Sequence, residues 1–420
     1  MTKTLKNIFS VAILMVMALV LVACNGDDGD DGDVVTLTVW GDLDNQVTLE
    51  AAFTRINEAF EDQHPNIRID YQWSGTLESI NVAVQSNTLP DLFWTQGNKS
   101  TRLAEMANNG FLLALDSSDF DLSEFPQDAI DYAMVDGVMY SSLPSFFSYA
   151  MIYYNRDMFT EFNLSVPSTF AEFEALSSAL SAQGVTPISI GGAGDFDRYW
   201  MMQIMAASLA NDTLTQVEEG EAVDAIDWSN LEMVFDFYRD FAMAGYFGQN
   251  VEAIDGTGAM LTFTNGNAGM ITDGTWNDAA FNDLGFEVGR FVLPGLDGIR
   301  LAQSGPSNMN TYSISSATNH PEEAILYLQF LMSDEAQLIF AEEVGQVPML
   351  DSITVDHPAI DEMTSFDDIG KNIFHAFSAV ATDDSRPQDL LLTDVLPRLL
   401  TGQITGSEAV DILRTEMERR

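Results

Sequence analysis

Cysteine is nearly absent from this chain. One residue in 420, Cys24, carries a thiol, so no intramolecular disulfide can staple the fold. Basic side chains are scarce too: 17 Lys and Arg stand against 64 Asp and Glu, a formal net charge of −47. A phosphate backbone would be repelled by such a surface, which excludes nucleic acid as a partner and disfavours anionic ligands. The acidity itself reads as a solvated surface suited to solubility or to a salty habitat. Motifs of common enzyme chemistry are missing: there is no Walker A sequence, no G-x-S-x-G and no H-E-x-x-H. The four histidines are scattered, and His64, His320 and His357 each precede a proline, as turn residues do, so no metal site is expected. "GGAGDFDRYW" lacks the third glycine of a dinucleotide fingerprint and its acidic partner, so no cofactor is expected either.

What is present begins at the N-terminus. Lys3 and Lys6 precede an apolar stretch, Ile8 to Val22, broken only by Ser10 and short for a spanning helix. It runs into Leu21-Val22-Ala23-Cys24, which resembles the lipobox of bacterial lipoprotein signal peptides. That resemblance implies removal of residues 1–23 and a lipid on Cys24, where two or more acyl chains give stable anchoring. Residues 24–33 then read as a flexible acidic tether with too little apolar content to fold. The ligand spacing and closing glutamate of an EF-hand are missing from it.

The 420 residues are enough for roughly two to three domains, and past the tether the chain shows alternating elements. "VVTLTVW" is β-rich, and Leu49, Phe53, Ile56 and Phe60 follow at helical spacing. "NIRIDYQW", "LESINVAV" and "LPDLFWT" continue a β-α-β-α-β rhythm, which predicts a largely parallel sheet covered by helices. Thr169 with Glu172 and Ser229 with Glu232 have capping-box spacing, and Gly184 and Gly245 sit where those helices would end. Pro321 and Ser333 mark two further helix starts, and Val410, Leu413 and Met417 line a closing helix. Phe170, Phe173, Phe237 and Phe241 fall on helical faces and read as core.

Five separated blocks, in order, carry a resemblance: "LPDLFWTQGN", "NNGFLLALDS", "DGVMYSSLPSFFSYAMIYYNRDMF", "FTNGNAGMITDGTW", and "SISSATNHPEEAILYLQFLMSDEAQ" with "GQVPML". The chain resembles extracellular solute-binding protein family 1, the sugar-binding lipoproteins of ABC importers, related in fold to maltose-binding protein. The resemblance implies an α/β chain of two lobes, the type II periplasmic-binding-protein fold, with a ligand cleft between them. It implies crossings near Pro144, Arg290 and Gln346, hence an N-terminal lobe of residues 34–143 plus 290–345 and a C-terminal lobe of 144–289 plus 346–420. It further implies a monomeric, non-enzymatic receptor outside the cytoplasm that passes a neutral sugar to a membrane permease by hinge closure.

A sugar offers hydroxyl rims and a patch of C–H bonds, so its site wants aromatic faces beside Asp, Asn, Gln and Arg. In open α/β sheets ligands sit beyond the carboxyl ends of strands. Asp42 and Asn45 after the first strand, Trp94 and Gln96 after the third, and Asp273 and Trp276 after "AGMIT" meet that description, whereas Trp40 reads as packing. "GDFDRYW" clusters Asp195, Asp197, Arg198 and Trp200 in one loop. Ser145 at a crossing, Ser304 before "TYSIS", and Arg386 in "TDDSRPQ" complete the candidates, the last two on the strength of the resemblance.

Two rival readings remain open at this level. A secreted carbohydrate-active enzyme would use paired carboxylates, Asp195 and Asp273 being the candidate pair. The same fold could instead hold another solute such as a polyamine, which the acidity would attract. The lipobox generates the first prediction: Cys24→Ser yields protein that takes up no radioactive palmitate and leaves the membrane fraction, and continued labelling would remove Cys24 as the acylation site.

Overall fold

The computed structural model describes residues 34–97, 102–281, 284–305, 311–350, 352–356, 358–382 and 384–419. The signal-like segment, Cys24 and the acidic tether lie outside them. The strands run in chain order as β1 (Val35–Asp42), β2 (Ile67–Gly75), β3 (Leu92–Thr95), β4 (Met134–Val135), β5 (Val138–Met139) and β6 (Phe146–Asn155). There follow β7 (Thr186–Ser189), β8 (Ala268–Gly274), β9 (Val288–Phe291), β10 (Leu301–Gly305), β11 (Thr311–Ile314), β12 (Val347–Pro348) and β13 (Asp368–Gly370).

Two sheets organise the molecule. In the first, ordered β11-β3-β1-β2, β1 pairs in parallel with both β2 and β3, and β11 adds an antiparallel edge. The helix Gln46–Gln63 covers it with Leu49, Phe53, Ile56 and Phe60, the four residues whose spacing marked an amphipathic helix, all buried. In the second sheet, β13-β10-β6-β8-β7 form the main path and β9 and β12 also pair with β6. A core of Phe170, Phe173, Phe241 and the apolar faces of the Asp195–Leu209 and Ser229–Met243 helices packs against it. The α/β two-lobe expectation is met.

β6 joins the two halves: Phe146 belongs to the first core and Ile152 to the second. β12 pairs with β6 at Phe146 and Phe147, so the third connecting segment lies alongside the first. The return expected near Arg290 is corrected. β9 pairs with β6 from Ile152 to Asn155, and β10 pairs with it from Ser148 to Ala150, so residues 288–305 are built into the second sheet. The chain rejoins the first sheet at β11.

Local signals mostly hold. The Thr169 side chain accepts from Glu172 N–H, and Gly184 and Gly245 take positive φ after their helices. The Ser229 box does not form: Asp227 accepts from the Ser229 amide, so Ser229 lies inside the helix. "GDFDRYW" is not a loop but the first turns of the Asp195–Leu209 helix.

A buried ion pair ties the short 3₁₀ segment Thr275–Phe281, directly after β8, to β9. Arg290 grips both oxygens of Asp278, with Nη2 to Oδ2 at 2.8 Å, and reaches Glu362 at 3.3 Å, its side chain only 8% exposed. Tyr153 lies under the guanidinium at 5.5 Å and stacks on Phe281 at 4.3 Å. Removing Asp278 leaves the buried guanidinium with only the longer contact to Glu362, so Asp278→Ala lowers stability by about 3 kcal/mol in urea unfolding, whereas Asp278→Leu with Arg290→Leu recovers much of the loss.

Candidate functional site

At the carboxyl end of β8 the chain turns through Asp273, Gly274, Thr275 and Trp276. Gly274 is required here by close approach: a Cβ on it would meet Trp276 Cζ3 at 2.0 Å, so the indole lies directly over that backbone. Trp200 approaches from the Asp195–Leu209 helix with ring centroids 4.7 Å apart and planes inclined by 52°. The two half-buried indoles form one wall of a cavity of about 330 Å³. Gly191, Asp197, Gly256, Thr257, Met260, Thr272, Asp273 and Asn277 supply much of the rest.

Asp197 is held in a cradle of glycines. Cβ atoms built on Gly191, Gly194 and Gly256 would each fall within 2.7 Å of its side chain, and its Oδ2 accepts from Gly256 N–H at 2.8 Å. That glycine begins the Gly256–Thr264 helix, whose N-terminal amides favour negative charge. Asp273 is 8% exposed, and its Oδ1 accepts from Gly274 N–H at 2.7 Å and from Asn277 Nδ2 at 3.0 Å. Burial pushes its carboxyl up to about 6; the two hydrogen bonds oppose that shift and the nearby Asp197 carboxylate adds to it. A lining of two indole faces, two carboxylates, an amide and threonine hydroxyls can cover C–H surface and accept hydrogen bonds from a polyhydroxyl ligand.

The structure thus brings Trp200, Asp273 and Trp276 together from among the candidates. Asp197, in the cluster noted beforehand, joins them, while Asp195 points outward, half exposed, and is ion-paired with Arg198 at 3.0 Å. The suggested Asp195–Asp273 pair is therefore not formed; Asp197 is the second carboxylate. Arg198 does not face the cavity. Its donors go to the carbonyls of Gly192 (3.0 Å), Ala193 (2.8 Å) and Leu392 (3.2 Å), so it fixes the glycine loop from behind. Thr257, Thr272 and Asn277 went unrecognised in the sequence; an Asn one residue beyond the tryptophan was the available signal for the last.

The first-lobe candidates lie elsewhere. Trp94 is corrected: at 5% exposure it belongs to the first core, on a strand flanked by β1 and β11, with its indole N–H buried and unpartnered. Trp40 is half-buried against the same core, as a packing residue should be. Asp42 is buried and accepts from Asn45 Nδ2 at 2.7 Å, and Gln96 is half-buried at the end of β3. Ser145 is buried just before β6, and Ser304 lies on β10 opposite Tyr149. Arg386 is exposed and paired with Asp389 at 2.8 Å, its backbone N–H bonded to Glu416. Asp42, Asn45, Trp94, Gln96, Ser145 and Arg386 are not among the described residues that line the cavity, which run from 191 to 277. Among the described residues no cluster suits a metal ion and no helix is long and apolar enough to cross a membrane.

Two lobes joined by adjacent strands, with an aromatic and acidic cavity at a strand end, define a protein that encloses a small solute. Residues 44–338 match the family described as bacterial extracellular solute-binding protein, and the chain belongs to that family. It is 23% identical over 345 residues to the multiple sugar-binding protein of Streptococcus mutans, covering 80% of each chain. It is 24% identical over 334 residues to the galactooligosaccharide-binding protein of Bacillus subtilis, covering 77% of this chain and 75% of that one. Among solved structures it resembles a raffinose-bound solute-binding protein, RafE, with TM-score 0.67 and 21% identity over 91% of this chain and 98% of that one. A chitin oligosaccharide binding protein gives TM-score 0.71 and 20% identity over the same shares. These likenesses establish the fold.

Asp273 generates a pH prediction. Its folded-state pKa lies above the ordinary 3.8, so its contribution to stability is fully present below that value and lost as pH rises through about 6. Asp273→Asn keeps an oxygen to accept both hydrogen bonds and removes the charge. Relative to wild type the variant gains about 2 to 3 kcal/mol between roughly pH 4 and pH 7, read from urea midpoints; parallel curves would show that Asp273 is not desolvated.

Proposed function

We propose that this chain is the solute-binding component of an ABC importer, anchored outside the cytoplasm by a lipid on Cys24, and that it captures a neutral sugar or oligosaccharide and delivers it to a membrane permease. The observation that carries the reading is the pair of indoles, Trp276 and Trp200, set beside Asp197 and Asp273 in one cavity. Such a lining matches a sugar ring face and its hydroxyl rim, and hydrogen bonds to a charged acceptor contribute roughly 1.5 to 3 kcal/mol each. The named specificities of the relatives, multiple sugars and galactooligosaccharides, point the same way. We take the ligand contacts to be Trp200, Asp273 and Trp276 with Asp197, Thr257 and Asn277. The lobes on this reading are residues 34–143 with 311–345, and residues 146–305 with 347–419.

Binding without turnover is part of the proposal, and the family and its named relatives, described as binding proteins, support it. A second reading has a specific observation behind it: two carboxylates and two indole faces, with Arg198 turned away, would also suit a polyamine. A thermal-shift screen of mono- and oligosaccharides with spermidine as a comparator separates the two, since a ligand at 100 times its Kd adds roughly 2.7 kcal/mol of stability. The bound sugar is recovered intact by chromatography; a shortened or unsaturated product would bring the enzyme reading forward.

Trp276→Ala weakens sugar binding by about 2 kcal/mol, some thirtyfold, if the ring is the central anchor. Its urea midpoint falls by less than the about 3 to 5 kcal/mol that truncating a core tryptophan costs. Calorimetric affinity measured beside the midpoint checks both halves, and preserved affinity with a large loss of stability would make Trp276 a packing residue.

A further inference from the structure

The tryptophan-bearing turn has a link to the lobe connection that the binding reading leaves unused. Gln346 is fully buried in the third connecting segment, directly before β12, which lies against the start of β6. Its Nε2 donates to the carbonyl of Thr275, the residue that precedes Trp276. Thr275 is itself fully buried, and its Oγ1 accepts from the backbone N–H of Tyr149 on β6 at 3.1 Å. The turn is therefore held from two of the segments that join the lobes. The helix Gln46–Gln63 of the first lobe also packs against it.

The other end of the same amide is unmet: Gln346 Oε1 is buried with no hydrogen-bond partner. Turning the amide over does not help, because Oε1 would then oppose the Thr275 carbonyl, two acceptors facing each other. An acceptor kept buried and unsatisfied disfavours its surroundings more than an apolar group of the same shape would. A residue whose sole job was packing would be better replaced by methionine, which matches its length and carries no amide.

We infer that Gln346 is a positioning residue: it sets the Thr275–Trp276 turn from the connection between the lobes, so that seating a ligand on the indole and moving the lobes are one linked event. Its amide reads the position of the turn through the Thr275 carbonyl and transmits it to β12 and β6. The unmet Oε1 makes the arrangement seen here easier to leave for one in which that oxygen finds a donor.

The inference rests on Trp276 as a ligand contact, and the test has an arm that needs no ligand. In ligand-free protein, Gln346→Met makes amides of residues 274–281 exchange deuterium about 3- to 10-fold faster, with the Ser229–Met243 helix unchanged, since only a local opening is eased. Its Tm falls by less than about 5 °C, because the unmet Gln346 acceptor is removed while the buried Thr275 carbonyl loses a donor. In the sugar arm, Kd rises about 5- to 10-fold, and Gln346→Met adds nothing in a Trp276→Ala background, the mark of two residues acting as one unit. Unchanged exchange at 274–281, or faster exchange everywhere with a fall in Tm of more than about 5 °C, overturns the proposal and leaves Gln346 a structural residue. Additive losses in the double variant do the same. Should wild type bind no sugar at all, the sugar reading fails while the exchange measurement still decides this one.

Discussion

A strand of ten residues that begins in one core and ends in another is a strong constraint on a chain. β6 enters with Phe146 among the apolar side chains of the first lobe and leaves with Ile152 among those of the second. Because successive residues of a strand are rigidly spaced, the distance between the two cores along this edge is set by its backbone. The remaining connections attach to it. β12 runs antiparallel to its start, β10 and β8 flank its middle, and β9 pairs near its end, so the second sheet is largely assembled around one strand. The turn that carries Trp276 hangs from the neighbour of that strand and is bonded back to it through Thr275.

The chemistry of the cavity depends on how little side chain surrounds its charges. Glycines at 191, 194 and 256 let the Asp197 carboxylate lie among backbone atoms, and Gly274 lets an indole lie flat on the chain. Arg198, the cation nearest in sequence, is used up on carbonyls behind the loop. The result is a hollow with negative charge and aromatic faces, in a molecule whose surface is already strongly acidic. Such a hollow accepts hydrogen bonds far more readily than it donates them, which matches a ligand rimmed with hydroxyl groups.

Much of this was legible in the residues. The period of Leu49, Phe53, Ile56 and Phe60 gave a helix because burial of one face requires that spacing, and Trp276 stood out as an indole just past a strand end. Trp94 had nearly the same local signature and the opposite fate. Its strand is covered on one edge by β11, which arrives more than two hundred residues later, and no local pattern announces that neighbour. Arg198 misled for a similar reason: one of its acceptors, the Leu392 carbonyl, is 194 residues away. Residues 288–305 were expected to return to the first lobe, and they do not, because which sheet a short strand joins is decided by long-range pairing, here with β6.

Among the described residues the cavity walls come from residues 191–277, and this has a kinetic consequence. On the binding reading proposed above, a ligand can meet those walls before the lobes move, so its arrival is a diffusive encounter with a preformed surface. On the same reading the first lobe, whose Gln46–Gln63 helix packs against the Thr275–Phe281 segment, would act on departure by lengthening the residence time. Substitutions on the Gln46–Gln63 helix would therefore be felt in the off-rate, and those around Trp276 and Asp273 in both rates, a division of labour between landing and retention laid down by which stretch of chain builds the walls.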